Sequence, residues 1–366
     1  MKKISLKVID STVDLEEFEY EWEQFRSQLH VSSLCLSFTW INLWCHHYLK
    51  SQDRLMIHCY YLDEKLIGIF PVYLEKIILG YQLRFVAQGE SQEAEICSEF
   101  QDFMLESKYQ HELLTMFSQA VLAIDGIRAC AFSNVLEKSV VSTWVKGNFS
   151  NWQVNNLPLG VRYLLPVAED NLSQIERLKS KTTRRQAKEY FNNEYCLCEY
   201  VGEQYSLDSL FAELVSLHNE SWQKRGQKGV FENQVFRGFH YQFATKANDL
   251  GKLALFKISY KDKTQAIFYG VIDADTLFYY QSGVLRSSKL LSAGIAMHME
   301  ALAFSQSRKL KYYDLMKGKS DSYKKKIVSG GDEVLNIIAI KRPYLWLKYF
   351  WKLKLKYKAL FAKVKV

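Results

Sequence analysis

Apolar residues recur at three- and four-residue steps from Leu15 through Phe18, Trp22, Phe25 and Leu29. That spacing predicts an amphipathic helix with an acidic outer face. The aromatic stretch LSFTWINLWCHHYL (36–49) predicts a short helix after a turn. The period then changes to two. LMIHCYYL (55–62) and LIGIFPVYL (66–74), separated by Asp63, Glu64 and Lys65, predict a strand hairpin. Pro71 is expected at an edge or bulge, because it has no N–H to give to a ladder. YQLRFVA (81–87) predicts a further strand, and the acidic stretch 88–103 a loop over one end of the sheet. A helix over 109–123 and a short strand over 129–134 follow.

Between 150 and 166 the pattern loosens, with Asn151, Asn155, Asn156, Pro158, Gly160 and Pro166 close together. A domain boundary is expected there. The second half opens with a helix predicted near 171–193, in which Arg177, Lys181, Arg184 and Lys188 share one face. That stripe is either a solvated surface or a set of phosphate contacts. Cys196 and Cys198 alternate in YCLCEY and share one strand face. Helices over 206–224 and 234–248 precede a meander of strands at 253–260, 264–272 and 277–284, then a helix from Ser292 and a strand over 310–316. The class is mixed α+β, with no consecutive βα repeats of the doubly wound kind.

Length and composition sharpen this. At 366 residues, the chain suits two domains. It is 48% hydrophobic and 24% charged, values of a folded protein. The start lacks an apolar run of signal-peptide length, and no stretch matches a spanning helix, so a cytoplasmic location is expected. Seven cysteines without framework spacing suit a reducing compartment. Cys45, His46 and His47 are adjacent, but no ligand spacing accompanies them, so no metal is expected. The net charge is +8, yet nine Lys or Arg and no acid lie from Lys341 onward, so the preceding 340 residues sum to −1. The body is therefore not a generally basic, nucleic-acid-binding surface.

The chemistry concentrates between Phe278 and Lys326. An aromatic strand runs into a loop bearing Arg286 and Lys289, and Ser292 then caps a helix that begins with Ala293 and Gly294. A helix N-terminus fed by a small-residue loop attracts anions, because its first N–H groups are unpaired and the dipole points into the loop. The expected occupant is the pyrophosphate of an acyl carrier.

LHNESWQKRGQKGVF (217–231), then YYQSGV, then SAGIAMHMEALAFSQSRKLKYYDLMKG, then Tyr323-Lys324, resemble the GNAT-type acyltransferases. More narrowly, they are similar to the double-domain cellulose-biosynthesis (CelD/BcsL) type, related to the Fem-type aminoacyltransferases. FTWINLW and GIFPVYL carry the likeness into the first half. The resemblance implies tandem GNAT-like domains, each a mostly antiparallel mixed sheet flanked by helices, over 1–155 and 156–340. It implies acetyl-CoA or another acyl-CoA as co-substrate, bound in the second. Lys289-x-x-Ser292-x-Gly294 is the nearest match to the family's phosphate loop, with Lys and Ser in place of the usual Arg or Gln and first Gly. The cation and the close backbone approach at Gly294 survive that change. Arg286, Ala293 and Lys324 complete the expected cofactor set.

Acyl transfer needs a base for the acceptor, a donor for the carbonyl oxygen and an acid for the thiolate. Asp314 is a candidate base or acceptor anchor. Tyr323 is the candidate acid, with Lys324 beside it as a phosphate partner. His218 is a candidate base or a structural hydrogen-bonder, and Trp222 and Arg225 on its side of the helix join Gln281 as acceptor contacts. The acceptor implied is a sugar or other small molecule of exopolysaccharide or envelope synthesis. The alternatives are a Fem-type enzyme using aminoacyl-tRNA, the one case in which nucleic acid would bind, and a non-catalytic scaffold of a polysaccharide synthesis complex. In 341–366, Trp346, Tyr349, Phe350, Leu353 and Tyr357 fall on one helical arc flanked by lysines. That pattern suits an interfacial helix on anionic lipid at the inner membrane face.

Overall fold

The computed structural model describes residues 3–29, 33–149, 151–192, 196–202, 205–285 and 292–346. A strand that the pattern did not announce, β1 (Ile4–Ile9), comes first. The expected first helix follows in two pieces, α1 (Thr12–Glu17) and α2 (Glu19–Gln28), because Phe18 leaves helical geometry at φ −92°, ψ 2°. Leu15, Phe18, Trp22 and Phe25 are buried as their spacing requires. Ser37 caps α3 (Phe38–Tyr48) by accepting from the Trp40 N–H. Then come β2 (Arg54–Leu62), β3 (Lys65–Ile77), β4 (Gly80–Phe85), the two-residue β5 (Met104–Leu105), α4 (Gln110–Leu122), β6 (Ile127–Leu136) and α5 (Val140–Asn148). β7 (Trp152–Pro166) runs straight through the stretch expected to be a loose boundary.

The single helix expected at 171–193 is two, α6 (Asn171–Arg177) and α7 (Lys181–Phe191). Leu178 is extended and buried between them, and the Ser180 hydroxyl accepts from Thr183 N to start α7. Arg177 therefore ends α6, while Lys181, Arg184 and Lys188 ride on α7, so the basic stripe is not one continuous face. β8 (Cys196–Tyr200), α8 (Leu207–Gln223), α9 (Gln234–Asp249), β9 (Leu253–Tyr260), β10 (Lys263–Asp273), β11 (Thr276–Val284), α10 (Ala293–Ser307) and β12 (Tyr312–Gly318) match the expected order. The last strand, β13 (Glu333–Lys341), lay unread at the end of the presumed second domain.

The chain forms two compact units, one of residues 1–159 with 332–366 and the other of 160–331. Within the first, the strand order is β1-β2-β3-β4-β6-β13. The first four are antiparallel, β6 is parallel to β4, and β13 is antiparallel to β6. Within the second, the order β8-β9-β10-β11-β12-β7 repeats that plan. β12 is parallel to β11, and the second half of β7 is antiparallel to β12. Each unit thus has one parallel pair joined by a helical crossover: α4 in the first and α10 in the second. Residues 333–341, expected in the second unit, complete the core of the first through Leu335, Ile337 and Ala339.

Pro71 sits inside β3 opposite Ile57, not at an outer edge. Its carbonyl accepts from Val86 N on the β4 side, so its missing N–H also faces that side. β4 pairs with β3 from Val72 onward and β5 pairs at Gly68 and Ile69, leaving Pro71 at the break between them. The ladder to β2 loses no donor there. Of the C-terminal tail, residues 347–366 lie outside the described residues, so the expected helix there is untouched by the structure. No helix of the described residues is long and apolar enough to cross a membrane.

Candidate active site

In the second unit, β11 and β12 pair over three residues only, Thr276–Phe278 against Tyr312–Asp314. Past that point they part. β11 continues along β10 to Val284, with Tyr280 as an extra, bulged residue, since Tyr269 pairs with Gln281 and Gly270 with Tyr279. β12 instead stays with β7, and its register shifts between Asp314 and Lys317.

Buried charge fixes that bend. Asp314 is fully buried; its Oδ2 accepts from Arg162 Nε at 2.7 Å and lies 2.6 Å from Nη2, while its Oδ1 accepts from Met316 N at 2.7 Å. Met316 is held at φ +62°, an uncommon region for a non-glycine residue. Burial raises the Asp314 pKa above the ordinary carboxylate value, against the opposing pull of Arg162. Asp314 therefore anchors the bend, fully buried against Arg162 and Met316 N. Lys324 is also turned inward. Its ammonium donates to the Leu315 and Lys317 carbonyls, the latter at 2.7 Å, and lies 5.9 Å from the Tyr279 ring centroid. Those carbonyls occupy the charge that was expected on a phosphate.

α10 forms the crossover from β11 to β12 and packs on both strands. Ser292 is the N-cap residue, with its carbonyl accepting from Ala296 N, but its side chain makes no capping bond. Ala293 is buried, and a Cβ placed on Gly294 would meet nothing within 4 Å among the described residues. Packing among the described residues does not demand glycine here. Arg286 and Lys289, expected beside it, lie outside the described residues.

A chain of polar side chains links α10 to β11 and β12. His298 of α10 places Nδ1 2.7 Å from the Tyr313 hydroxyl and Nε2 3.1 Å from the Tyr323 hydroxyl. Tyr323 also bonds Tyr279, whose hydroxyl lies 2.7 Å from Ser282 Oγ. Tyr323 is 45% exposed as a residue while its hydroxyl faces these partners. Burial, then the neighbouring Tyr279, raises its pKa.

From the opposite side of β11, α8 brings His218. Its Nδ1 lies 3.0 Å from the Ser282 carbonyl, which can only accept, so Nδ1 carries the proton and Nε2 is the acceptor. That Nε2 is buried and has no hydrogen-bond partner among the described residues. Burial holds the ring below the usual imidazole pKa, with the Arg225 charge adding to it. α8 comes this close because position 283 is glycine: a Cβ there would lie 2.9 Å from Leu217 Cβ and 3.0 Å from His218 N. Ser282 is thus where the two sets of residues meet. Gln281, next to it, turns its Oε1 to the Ser282 N–H at 3.2 Å. Trp222 stacks 6.0 Å from the His218 ring, and the exposed Arg225 sits 5.0 Å over Trp222 at the end of α8.

Sequence reasoning missed His298, Tyr279, Tyr313, Ser282 and Arg162. A lone histidine in the apolar run AGIAMHMEALAF was the available signal for the first.

The matching place in the first unit is filled. β4 and β6 pair from Tyr81 to Leu83 and then part, but Gln88 spans the gap, donating to the Ser133 carbonyl at 2.7 Å and accepting from Ser133 N at 2.8 Å. Gln101 donates to the Val86 and Cys35 carbonyls behind it. Side-chain amides there do the work of a missing strand. Among the described residues, no three His, Cys, Asp or Glu side chains gather as a metal site requires.

The second unit is GNAT-like, and the first repeats its strand plan. Residues 179–325 match the family described as acetyltransferase (GNAT) domain. A search of curated proteins finds no match. Among solved structures, the chain is similar to FemX at a TM-score of 0.63 and 9% identity, covering 94% of this chain and 99% of that one. It is similar to a conserved protein of unknown function from Bacteroides thetaiotaomicron (TM-score 0.54, 12% identity, 93% and 100% covered). A third likeness is to the C-terminal domain of a putative lysylphosphatidylglycerol synthetase from Agrobacterium fabrum (TM-score 0.52, 9% identity, 90% and 92% covered). At these identities the likeness is one of fold, and the acyl donor and acceptor are a separate matter.

Proposed function

We propose that the chain is an acyl-CoA-dependent N- or O-acyltransferase whose donor lies along the β11–β12 gap with its pyrophosphate at the start of α10. The observation that carries this reading is the gap itself: two parallel strands that part after three residue pairs, followed by a helix start that the Ser292 side chain does not cap and where a Cβ on Gly294 would meet nothing within 4 Å among the described residues. Main-chain N–H groups at the bulged edge of β11 are suited to hold a thioester carbonyl. Neutral His218 supplies the acceptor for the proton of the incoming amine or hydroxyl. Tyr323 gives a proton to the departing sulfur. Asp314 and Lys324 hold the bent strand that makes room for both.

The acceptor class, a sugar or related intermediate of exopolysaccharide or envelope synthesis, rests on the resemblance to the CelD/BcsL type. The basic aromatic tail supports placement at the inner membrane face, where acceptors of that kind are assembled. A second reading, aminoacyl-tRNA as donor, is favoured by the end-to-end likeness to FemX and by Lys181, Arg184 and Lys188 along α7.

Calorimetry with acetyl-CoA separates these readings. Wild type is expected to bind and Gly294→Glu to lose binding while keeping its fold, since the new side chain enters open space and sets a negative charge beside the pyrophosphate. Absence of binding by wild type, or equal binding by the variant, contradicts the proposal. Binding of tRNA with none of acetyl-CoA selects the second reading, and binding of neither leaves the scaffold.

A further inference from the structure

Resting on that acyltransferase reading, we infer that His298 is a positioning residue, held by Tyr313 as the Nε2–H tautomer so that it donates to the Tyr323 oxygen and keeps the Tyr323 hydrogen off the imidazole, on the side of Tyr279 and the departing sulfur.

The argument is one of donor count. Tyr313 is wholly buried, and among the described residues its hydroxyl meets one acceptor, His298 Nδ1 at 2.7 Å. A buried hydroxyl that only accepted would leave its own hydrogen unpaired, at a penalty of about 1–3 kcal/mol. Tyr313 therefore donates, Nδ1 accepts, and the ring proton stays on Nε2. Nε2 lies 3.1 Å from the Tyr323 hydroxyl, so that oxygen accepts from His298 and its hydrogen faces away from the ring, where the Tyr279 hydroxyl is its other bonded neighbour. The remaining groups around the ring do not reverse this order. Tyr279 stacks edge-on 5.1 Å from it, and the Lys324 ammonium repels a second ring proton. Burial, then that ammonium, pushes the imidazole down to about 3, so it stays neutral through the working pH range.

In the transfer step the acceptor nitrogen or oxygen bonds to the acyl carbon, and the C–S bond breaks with its electron pair on sulfur. Tyr323 passes its proton to that thiolate, and the phenolate so formed keeps the hydrogen bond from His298 Nε2–H. The proton lost by the acceptor is taken by His218 and released to solvent, and Tyr323 regains one proton from solvent, so the count closes. No proton leaves His298, and nothing else is consumed.

The test is nitrogen NMR of the histidine ring in the full chain, with His298 assigned by its loss in H298Q. Wild type is expected to show the Nε2–H tautomer without protonation down to pH 5, and Tyr313→Phe to shift the ring toward Nδ1–H. An Nδ1–H wild type, or a tautomer unmoved by Y313F, overturns the inference. This arm uses no substrate, so it stands or fails apart from the acyltransferase reading. Under acyl transfer, H298F and Y313F are expected to lower kcat roughly 10-fold or more, a share of the ~10²–10⁴-fold a placed acid supplies, with KM for acyl-CoA unchanged. H298Q, which keeps an acceptor toward Tyr313 and a donor toward Tyr323, is expected to retain most of kcat. Unchanged kcat in Y313F, which removes one oxygen and no bulk, overturns the positioning role even where H298F does not fold.

Discussion

Asp314 shows how a residue can be conspicuous in sequence for one reason and used for another. A carboxylate at the end of a strand beside a candidate anion pocket reads as a base. In the fold it is fully buried, with Arg162 on one oxygen and Met316 N on the other. Arg162 lies 152 positions earlier in the chain, so no local pattern could have paired them. Removing one member of such a pair leaves a buried charge uncompensated, which typically weakens a protein by ~3–5 kcal/mol. Arg162→Met should therefore lower the unfolding free energy by about that much at pH 7, in urea titrations, and Asp314→Asn added to it should restore a good part. A loss below ~1 kcal/mol in the single variant would show that the bend does not depend on the pair. Lys324 follows the same logic. A lysine in a run of three is usually solvated, yet this one turns inward to two carbonyls that β12 exposes by bending.

At the level of elements, period and punctuation located most helices and strands. The failures have separate physical causes. The helix expected at 171–193 broke at Leu178 because a buried extended residue and a Ser180 cap outweighed a continuous charge pattern. β1 and β13 escaped because each pairs with strands far away in sequence, β1 with β2 and β13 with β6. The pocket's helix was legible from Ser292 to Gly294, but the serine's capping bond was not made. The basic tail belongs to this scale as well. If it is an interfacial helix, deletion of 342–366 should release the protein from vesicles rich in anionic lipid in a sedimentation assay, and more so at low ionic strength. Continued sedimentation of the truncated chain would remove the tail from the account.

For the whole molecule, the order of elements revealed the α+β plan, and the motif order pointed to the GNAT domain that 179–325 match. What composition could not reveal is that the plan occurs twice with different outcomes. In the first unit, Gln88 and Gln101 close the gap between β4 and β6 with side-chain amides. In the second, β11 and β12 part without such amides, and Tyr279, His298 and Tyr323 contact one another beneath α10. Both differences rest on side chains whose partners are remote, and a polar glutamine in an acidic loop carries no mark of its destination.

The central claim is that an acyl-CoA enters the second unit's gap and not the first's. Hydrogen exchange read by mass spectrometry, with and without acetyl-CoA, measures this directly. The account predicts slower exchange in peptides carrying Tyr279–Val284 and the first turns of α10, with peptides over Tyr81–Phe85 and Ile127–Leu136 unchanged. Protection confined to the first unit, or no protection anywhere at saturating acetyl-CoA, would contradict it.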